Sequence, residues 1–208
     1  MVDCQLRPNQ VADPAILAAM LELPRERFVP PNYQSVAYID EDLPLGGGRY
    51  LMEPMVLGRL LQIAEIGPED VVLAIGCGAG YSAAVLSRLA GTVVAVEANP
   101  TLVATAGELL AKLGCDNVAV IEGPLGEGCP TEAPFDVIFL DGAVAAVPDA
   151  IQAQLKEGGR LVSVLAEKGG VGRGIVMTRS KGGIGCRAIF DAATPFLPGF
   201  EAKEEFVF

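Results

Sequence analysis

Residues 71 to 81 constrain the fold of this chain more than any other segment. Val71-Val72-Leu73-Ala74-Ile75 is a short, unbroken apolar run, and Gly76-Cys77-Gly78-Ala79-Gly80-Tyr81 follows it directly. An apolar run without polar alternation suits a strand buried on both faces, as in a parallel sheet. Glycines straight after such a strand let the backbone turn tightly into a helix and let a neighbour approach the main chain closely.

The same grammar repeats downstream. Tyr81 to Leu89 is helix-like, Thr92 to Val96 is another buried strand, and Pro100 to Leu113 is a helix ending at Gly114. Val118 to Ile121 and Phe135 to Leu140 are the third and fourth strands, Val147 to Leu155 is helical, and Arg160 to Leu165 is a fifth strand. Strands alternating with helices predict an α/β fold with a mostly parallel central sheet covered on both faces. The last part departs from this alternation. Ile175 to Arg179 and Ile184 to Ile189 flank Lys181-Gly182-Gly183, which predicts an antiparallel hairpin at one sheet edge. The Gly169 to Gly174 stretch reads as a crossover into that hairpin. Glu201 to Glu205 reads as an exposed charged segment, with Phe206-Val207-Phe208 docking on the sheet.

Ahead of the first strand the pattern is helical and irregular. Asp13-Pro14 is a cap followed by proline at the first helical position, and Ile16, Leu17, Met20 and Leu21 recur at helical spacing through residue 22. Pro24, Pro30 and Pro31 break the chain, and Pro54 to Ile66 forms a second helix ended by Gly67-Pro68. The expected organisation is one domain over residues 1–208. Residues 1–66 form an N-terminal helical cap and substrate side, and residues 67–208 form the cofactor-binding sheet and hairpin.

Composition narrows the chemistry. The 208 residues include no histidine, which excludes imidazole bases and Ser-His-Asp or Cys-His nucleophiles. Five scattered cysteines without a CxxC pair suggest reduced thiols and a cytoplasmic protein, and no metal site is expected. A net charge of −11 disfavours nucleic acid as a partner. Residues 1–7 lack a basic segment followed by an apolar one, so no export leader is expected, and no stretch suits a membrane span.

The glycine loop has the spacing G-x-G-x-G, with Tyr81 standing where a dinucleotide fingerprint has its last glycine. That spacing favours S-adenosyl-L-methionine over a nicotinamide cofactor. Glu97 ends the second strand about twenty residues on, where an acid can accept hydrogen bonds from ribose hydroxyls. The competing reading of Glu97 is a solvated loop carboxylate, and that of Cys77 is a small residue the loop tolerates. The candidate cofactor residues are Gly76, Cys77, Gly78, Gly80, Tyr81 and Glu97, with Ala98 beside the last.

Leu23-Pro24-Arg25-Glu26-Arg27-Phe28-Val29-Pro30 is similar to the PREXFVP segment of protein-L-isoaspartate O-methyltransferases. Ala37-Tyr38, Asp40 and Leu43-Pro44-Leu45-Gly46 resemble that family's AYxDxxLPIG stretch. The glycine loop, Leu155 to Val162 and the hairpin follow in family order. The resemblance implies a Rossmann-like class I methyltransferase fold. It also implies methyl transfer from S-adenosyl-L-methionine to the α-carboxylate of isoaspartyl residues in a protein or peptide; a small carboxylate is the other substrate expected. A carboxylate is already ionised at neutral pH, so a histidine-free chain can use it as the nucleophile. In-line positioning with water excluded then supplies the catalysis.

The resemblance also assigns the substrate side to Asp40, Leu51, Met52, Glu53 and Pro54, and further cofactor contacts to Gly123 and Asp141. Several of these positions depart from the family pattern. The family's T-I-S-Q-P serine is Met52, which has no hydroxyl, and Glu53 would bring negative charge toward an incoming carboxylate. An acidic residue before the glycine loop is Ala74, and the aspartate of the family's G-D-G is Pro124, which also lacks an N–H. Asp141 stands where the family usually has a small or hydroxyl residue, and could replace a lost polar contact or cap a turn. No catalytic side chain can be named. The alternative reading is a non-catalytic or substrate-shifted descendant of the same fold, and a nicotinamide-dependent enzyme fits the loop spacing poorly.

Overall fold

The computed structural model of the chain describes residues 1–167 and 170–202. Its helices are α1 (Pro14–Glu22), α2 (Pro54–Ala64), α3 (Tyr81–Ser87), α4 (Pro100–Lys112) and the single turn α5 (Asp149–Gln152). A small hairpin of β1 (Leu43–Gly46) and β2 (Arg49–Leu51) precedes α2. The main sheet contains β3 (Val71–Ile75), β4 (Thr92–Glu97), β5 (Val118–Glu122), β6 (Phe135–Val144), β7 (Leu155–Leu165), β8 (Gly172–Ser180) and β9 (Gly183–Ala192).

The strand order is β5-β4-β3-β6-β7-β8-β9. The pairs from β5 to β7 are parallel, and β7-β8 and β8-β9 are antiparallel. The chain leaves β3 toward β4 on one side and returns through β6 on the other. That reversal lies at the carboxyl ends of β3, β4 and β6, the usual ligand position in an open α/β sheet.

Alternate residues of β3 serve opposite faces. Val72 and Ala74 pack with α1, α2 and α3, whereas Leu73 and Ile75 join a second cluster with Val94, Val96, Ile138 and Leu140. The period of two along a strand is what gives an unalternating apolar sequence two buried faces. The second face also contains Ile151 of α5 together with Leu197 and Phe200, from the segment following β9. Part of that layer is therefore an extended segment rather than a helix.

Helix α5 is shorter than the predicted span of 147–155. Pro148 starts it, but the buried Gln154 is committed elsewhere: its Nε2 donates to Glu127 O at 2.7 Å and its Oε1 accepts from Cys129 N at 2.8 Å. Its carbonyl also accepts from Phe135 N at 2.9 Å. These bonds draw the chain out of the helix, and β7 begins at Leu155 instead of Arg160. Strand β6 likewise runs past Leu140 to Val144, and the hairpin strands extend beyond both predicted ends. Among the described residues, no helix is long and apolar enough to cross a membrane, and no group of acidic or thiol side chains could hold a metal ion. Residues 168–169, within the predicted crossover, and residues 203–208, with most of the predicted tail, lie outside the described residues.

Candidate functional site

The glycine loop turns from β3 into α3 as its residue types require. Gly76 and Gly80 have φ of +79° and +98°, a region that side chains strain against. Gly76 N donates to Val96 O at 2.8 Å, and Gly80 N to Cys77 O at the same distance. The loop therefore sits against the tip of β4, where Glu97 projects into it.

Glu97 is fully buried, not a solvated loop carboxylate. Its Oε2 accepts from Gly78 N at 2.8 Å, and its Oε1 accepts from Ala98 N at 2.9 Å and Asn99 N at 3.1 Å. A buried carboxylate needs several strong donors to remain charged, and three backbone N–H groups supply them. Gly123 joins the same corner, donating from its N–H to Glu97 O at 3.1 Å. The neighbouring Pro124 offers no equivalent N–H.

The fourth donor to Glu97 is Arg49, which the sequence reading did not assign. Its Nε donates to Glu97 Oε2 at 3.1 Å, its Nη2 donates to Gly76 O, and both side chains are buried. Leu197 fills the space beside it. A Cβ on Gly76 would lie 2.6 Å from Leu197 Cδ2 and 2.7 Å from Arg49 Nη2, so both side chains rest on the glycine backbone. Residues 193–200 reach this place by crossing back over the tip of β6. Ala143 N donates to Pro195 O at 2.9 Å, Leu197 N to Ala143 O at 2.8 Å, and Ala145 N to Phe200 O at 2.8 Å. Full burial of a leucine such as Leu197 stabilises the fold by about 1.5–3 kcal/mol. The signal for this segment lay in Pro195-Phe196-Leu197-Pro198-Gly199-Phe200, whose apolar residues between prolines suit a docked strap better than a solvated tail.

Asp141 lies within β6 rather than at its end, and is buried. Its Oδ2 accepts from Ser82 Oγ at 2.5 Å, its Oδ1 has no partner, and burial pushes its pKa up to about 6. Tyr81 is buried too. Its ring centroid is 5.3 Å from that of Phe28 in an edge-on pair, and burial raises its hydroxyl to about 12. Burial likewise pushes the Cys77 thiol up, so Cys77 is a small packed residue and not a poised nucleophile.

In the loop before α2, which the resemblance assigns to the substrate, Met52 is 2 % exposed and Leu51 and Pro54 are buried. Arg25 fixes this loop from within. Its Nη2 donates to Met52 O at 2.6 Å, its Nε donates to Ala37 O at 2.7 Å, and its guanidinium lies 4.9 Å from the Tyr81 ring centroid. Two aspartates cap α2 from outside. Asp40 Oδ1 accepts from Met55 N at 3.0 Å, and Asp42 Oδ1 accepts from Glu53 N at 2.9 Å. Asp40 thus satisfies a free N–H at the start of a helix, where negative charge is favoured. Glu53 has a pKa raised to about 7 by burial and by Asp42, Asp40 and Glu41. It carries its full charge only above neutrality, so the repulsion expected from it is weaker at lower pH. A cavity of about 300 Å³ lies alongside, lined by Phe28, Pro30, Leu45, Ala79 and Thr105 among others, but its lining does not include Glu97.

A glycine turn at the reversal point of this sheet, with an acid at the tip of the adjacent strand, defines a Rossmann-like class I methyltransferase fold. The chain belongs to the protein-L-isoaspartate(D-aspartate) O-methyltransferase family, whose model matches residues 1–179. It is 41% identical over 184 residues to a protein-L-isoaspartate O-methyltransferase of Gloeobacter violaceus, covering 88% of this chain and 90% of that one. A relative of the same name from Methanoregula boonei is 42% identical over 162 residues, covering 78% and 75%. A solved protein-L-isoaspartate O-methyltransferase superposes with a TM-score of 0.81 at 28% identity over 93% of this chain, which spans 63% of that longer chain. A Plasmodium falciparum beta-aspartate methyltransferase crystallised with S-adenosyl-L-homocysteine gives 0.73 over 91% of this chain and 93% of its own. At 20% identity that likeness is one of fold.

Proposed function

We propose that this chain transfers the methyl group of S-adenosyl-L-methionine to the α-carboxylate of isoaspartyl residues in proteins or peptides. The observation that carries this reading is the placement of Gly76, Gly78 and Glu97 at the sheet's reversal point, beneath the two N-terminal segments that resemble the family. When bound, the cofactor would supply an electrophilic methyl on a sulfonium. The N–H groups of Gly76, Gly78 and Gly80 are taken within the fold, but the acceptors suit an adenosyl group: the Glu97 carboxylate for hydroxyls and the unpartnered Oδ1 of Asp141. The space does not, because Arg49 and Leu197 stand in it.

The chain's own part in such a reaction is positioning. Arg25 holds the Met52 carbonyl and thereby the loop that faces an acceptor, while Asp40 and Asp42 hold the start of α2. A substrate carboxylate is ionised without help, which fits a chain lacking histidine. The buried Met52 favours a second reading, in which the acceptor is a different carboxylate, because no hydroxyl is available at that position.

Incubation with methyl-labelled S-adenosyl-L-methionine separates these readings. Base-labile methyl ester on an isoaspartyl peptide, and none on the matched aspartyl peptide, is the expected result. Cofactor binding without ester on either peptide supports the shifted acceptor. Absence of cofactor binding by a folded chain removes the proposed activity.

A further inference from the structure

The crevice that the proposed activity requires is filled by two side chains from opposite ends of the sequence. Arg49 comes from β2, next to the Gly46-Gly47-Gly48 turn, and Leu197 from the strap after β9. Arg49 makes with Glu97 the contact that a ribose hydroxyl makes with an acid at this position of the fold. Leu197 covers Gly76 and also Gly142, where a Cβ would lie 2.9 Å from its Cγ. We propose that Arg49 and Leu197 form a plug occupying the adenosyl position, and that an adenosyl donor binds only as the plug withdraws.

The structure contains what such a withdrawal needs. When Arg49 leaves, Glu97 keeps its bonds from Gly78, Ala98 and Asn99, so the carboxylate stays satisfied and one acceptor direction on Oε2 becomes free. The hairpin carrying Arg49 has strands of four and three residues and an exposed glycine turn, so it can shift without disturbing the main sheet. Besides the burial of Leu197 and Phe200, the strap is tied by few bonds: three backbone bonds to Ala143 and Ala145, and Thr194 Oγ1 donating to Asp42 Oδ1 at 3.0 Å. Pro198 lies against Gly48, and a Cβ on that glycine would be 3.7 Å from it. This contact couples turn and strap, and the Thr194–Asp42 bond couples the strap to the cap of α2.

The proposal rests on the donor-binding reading above, and its test keeps the two apart. S-adenosyl-L-homocysteine is titrated calorimetrically into wild type, Arg49→Gln, Leu197→Ala and the double variant, each verified as folded by circular dichroism. An open form populated at 1–10% lowers apparent affinity about ten- to hundredfold, so the double variant binds tighter than wild type by that factor. Measurable binding with equal affinity in all four proteins overturns the plug and leaves the donor reading standing. No binding by any folded protein, the double variant included, overturns the donor reading and the plug with it. If the variants do not fold, amide exchange in wild type decides. Saturating S-adenosyl-L-homocysteine raises exchange at the amides of Leu197, Ala143 and Ala145 if the strap withdraws. Binding with exchange unchanged or reduced there overturns the proposal.

Discussion

Arg49 Nε and Glu97 Oε2 lie 3.1 Å apart, with neither side chain reaching solvent. Taking two charges out of water costs several kcal/mol per ion, so a pair buried this deeply needs further hydrogen bonds. It has them in Gly76 O, Gly78 N, Ala98 N and Asn99 N. The Glu97 carboxylate is thus satisfied by the protein itself, and under the proposed plug, donor binding depends on how readily Arg49 gives way.

The loop before α2 is clamped by a second buried arginine, Arg25. Arg25→Ala leaves the carbonyls of Ala37 and Met52 without their donor and opens a hole beside Tyr81. The expected loss is about 2–4 kcal/mol, since each orphaned buried acceptor costs about 1–3 kcal/mol and part is recovered by removing a buried charge. Urea unfolding should show a lower midpoint with an unchanged slope. Arg25→Lys should recover only part of the loss, because an ammonium lacks the fork that reaches both carbonyls.

Glu53 gives the fold a pH dependence of definite sign. Its pKa is about 7 in the folded chain and near the ordinary 4.5 when unfolded. Between those values the folded state binds more protons, so stability falls as pH rises from about 4.5 to about 7, and the penalty is complete above. Asp141 and Asp42, both raised mainly by burial, slope the same way. Melting temperatures of Glu53→Gln and wild type should therefore converge near pH 5 and separate by pH 8, with the variant higher. Glu53 is only partly buried, so solvent screening keeps the difference small.

The cysteines report on closure of the crevice. Cys4 and Cys186 are exposed, whereas Cys77, Cys115 and Cys129 are buried. Alkylation at neutral pH, followed by mass, should give two fast adducts and three slow sites. Cys77 follows Gly76, which Leu197 covers, so Leu197→Ala should accelerate its reaction more than that of Cys115 or Cys129.

The fold was legible in the sequence wherever burial alone determined local structure. Val71–Ile75 is a strand with its predicted bounds, and Asp13 caps α1 as its sequence position implies, accepting from Ala15 N at 2.8 Å. Legibility ended where a side chain reaches across the fold. Gln154 shortens α5 by bonding to residues about 25 positions away, and no local pattern records that. Arg49 meets Glu97 across 48 positions, and Leu197 meets Gly76 across more than a hundred. Asp40 shows the same limit: the resemblance places it on the substrate side, while its bond from Met55 N, fifteen positions away, is recorded by no local pattern.

A structure of the chain determined with S-adenosyl-L-homocysteine tests the central claim most directly. The account predicts the adenosyl group between Gly76 and Glu97, with the Arg49 guanidinium off the carboxylate and Leu197 withdrawn from the glycine turn. Arg49 still on Glu97, with the nucleoside absent or bound elsewhere, would contradict it.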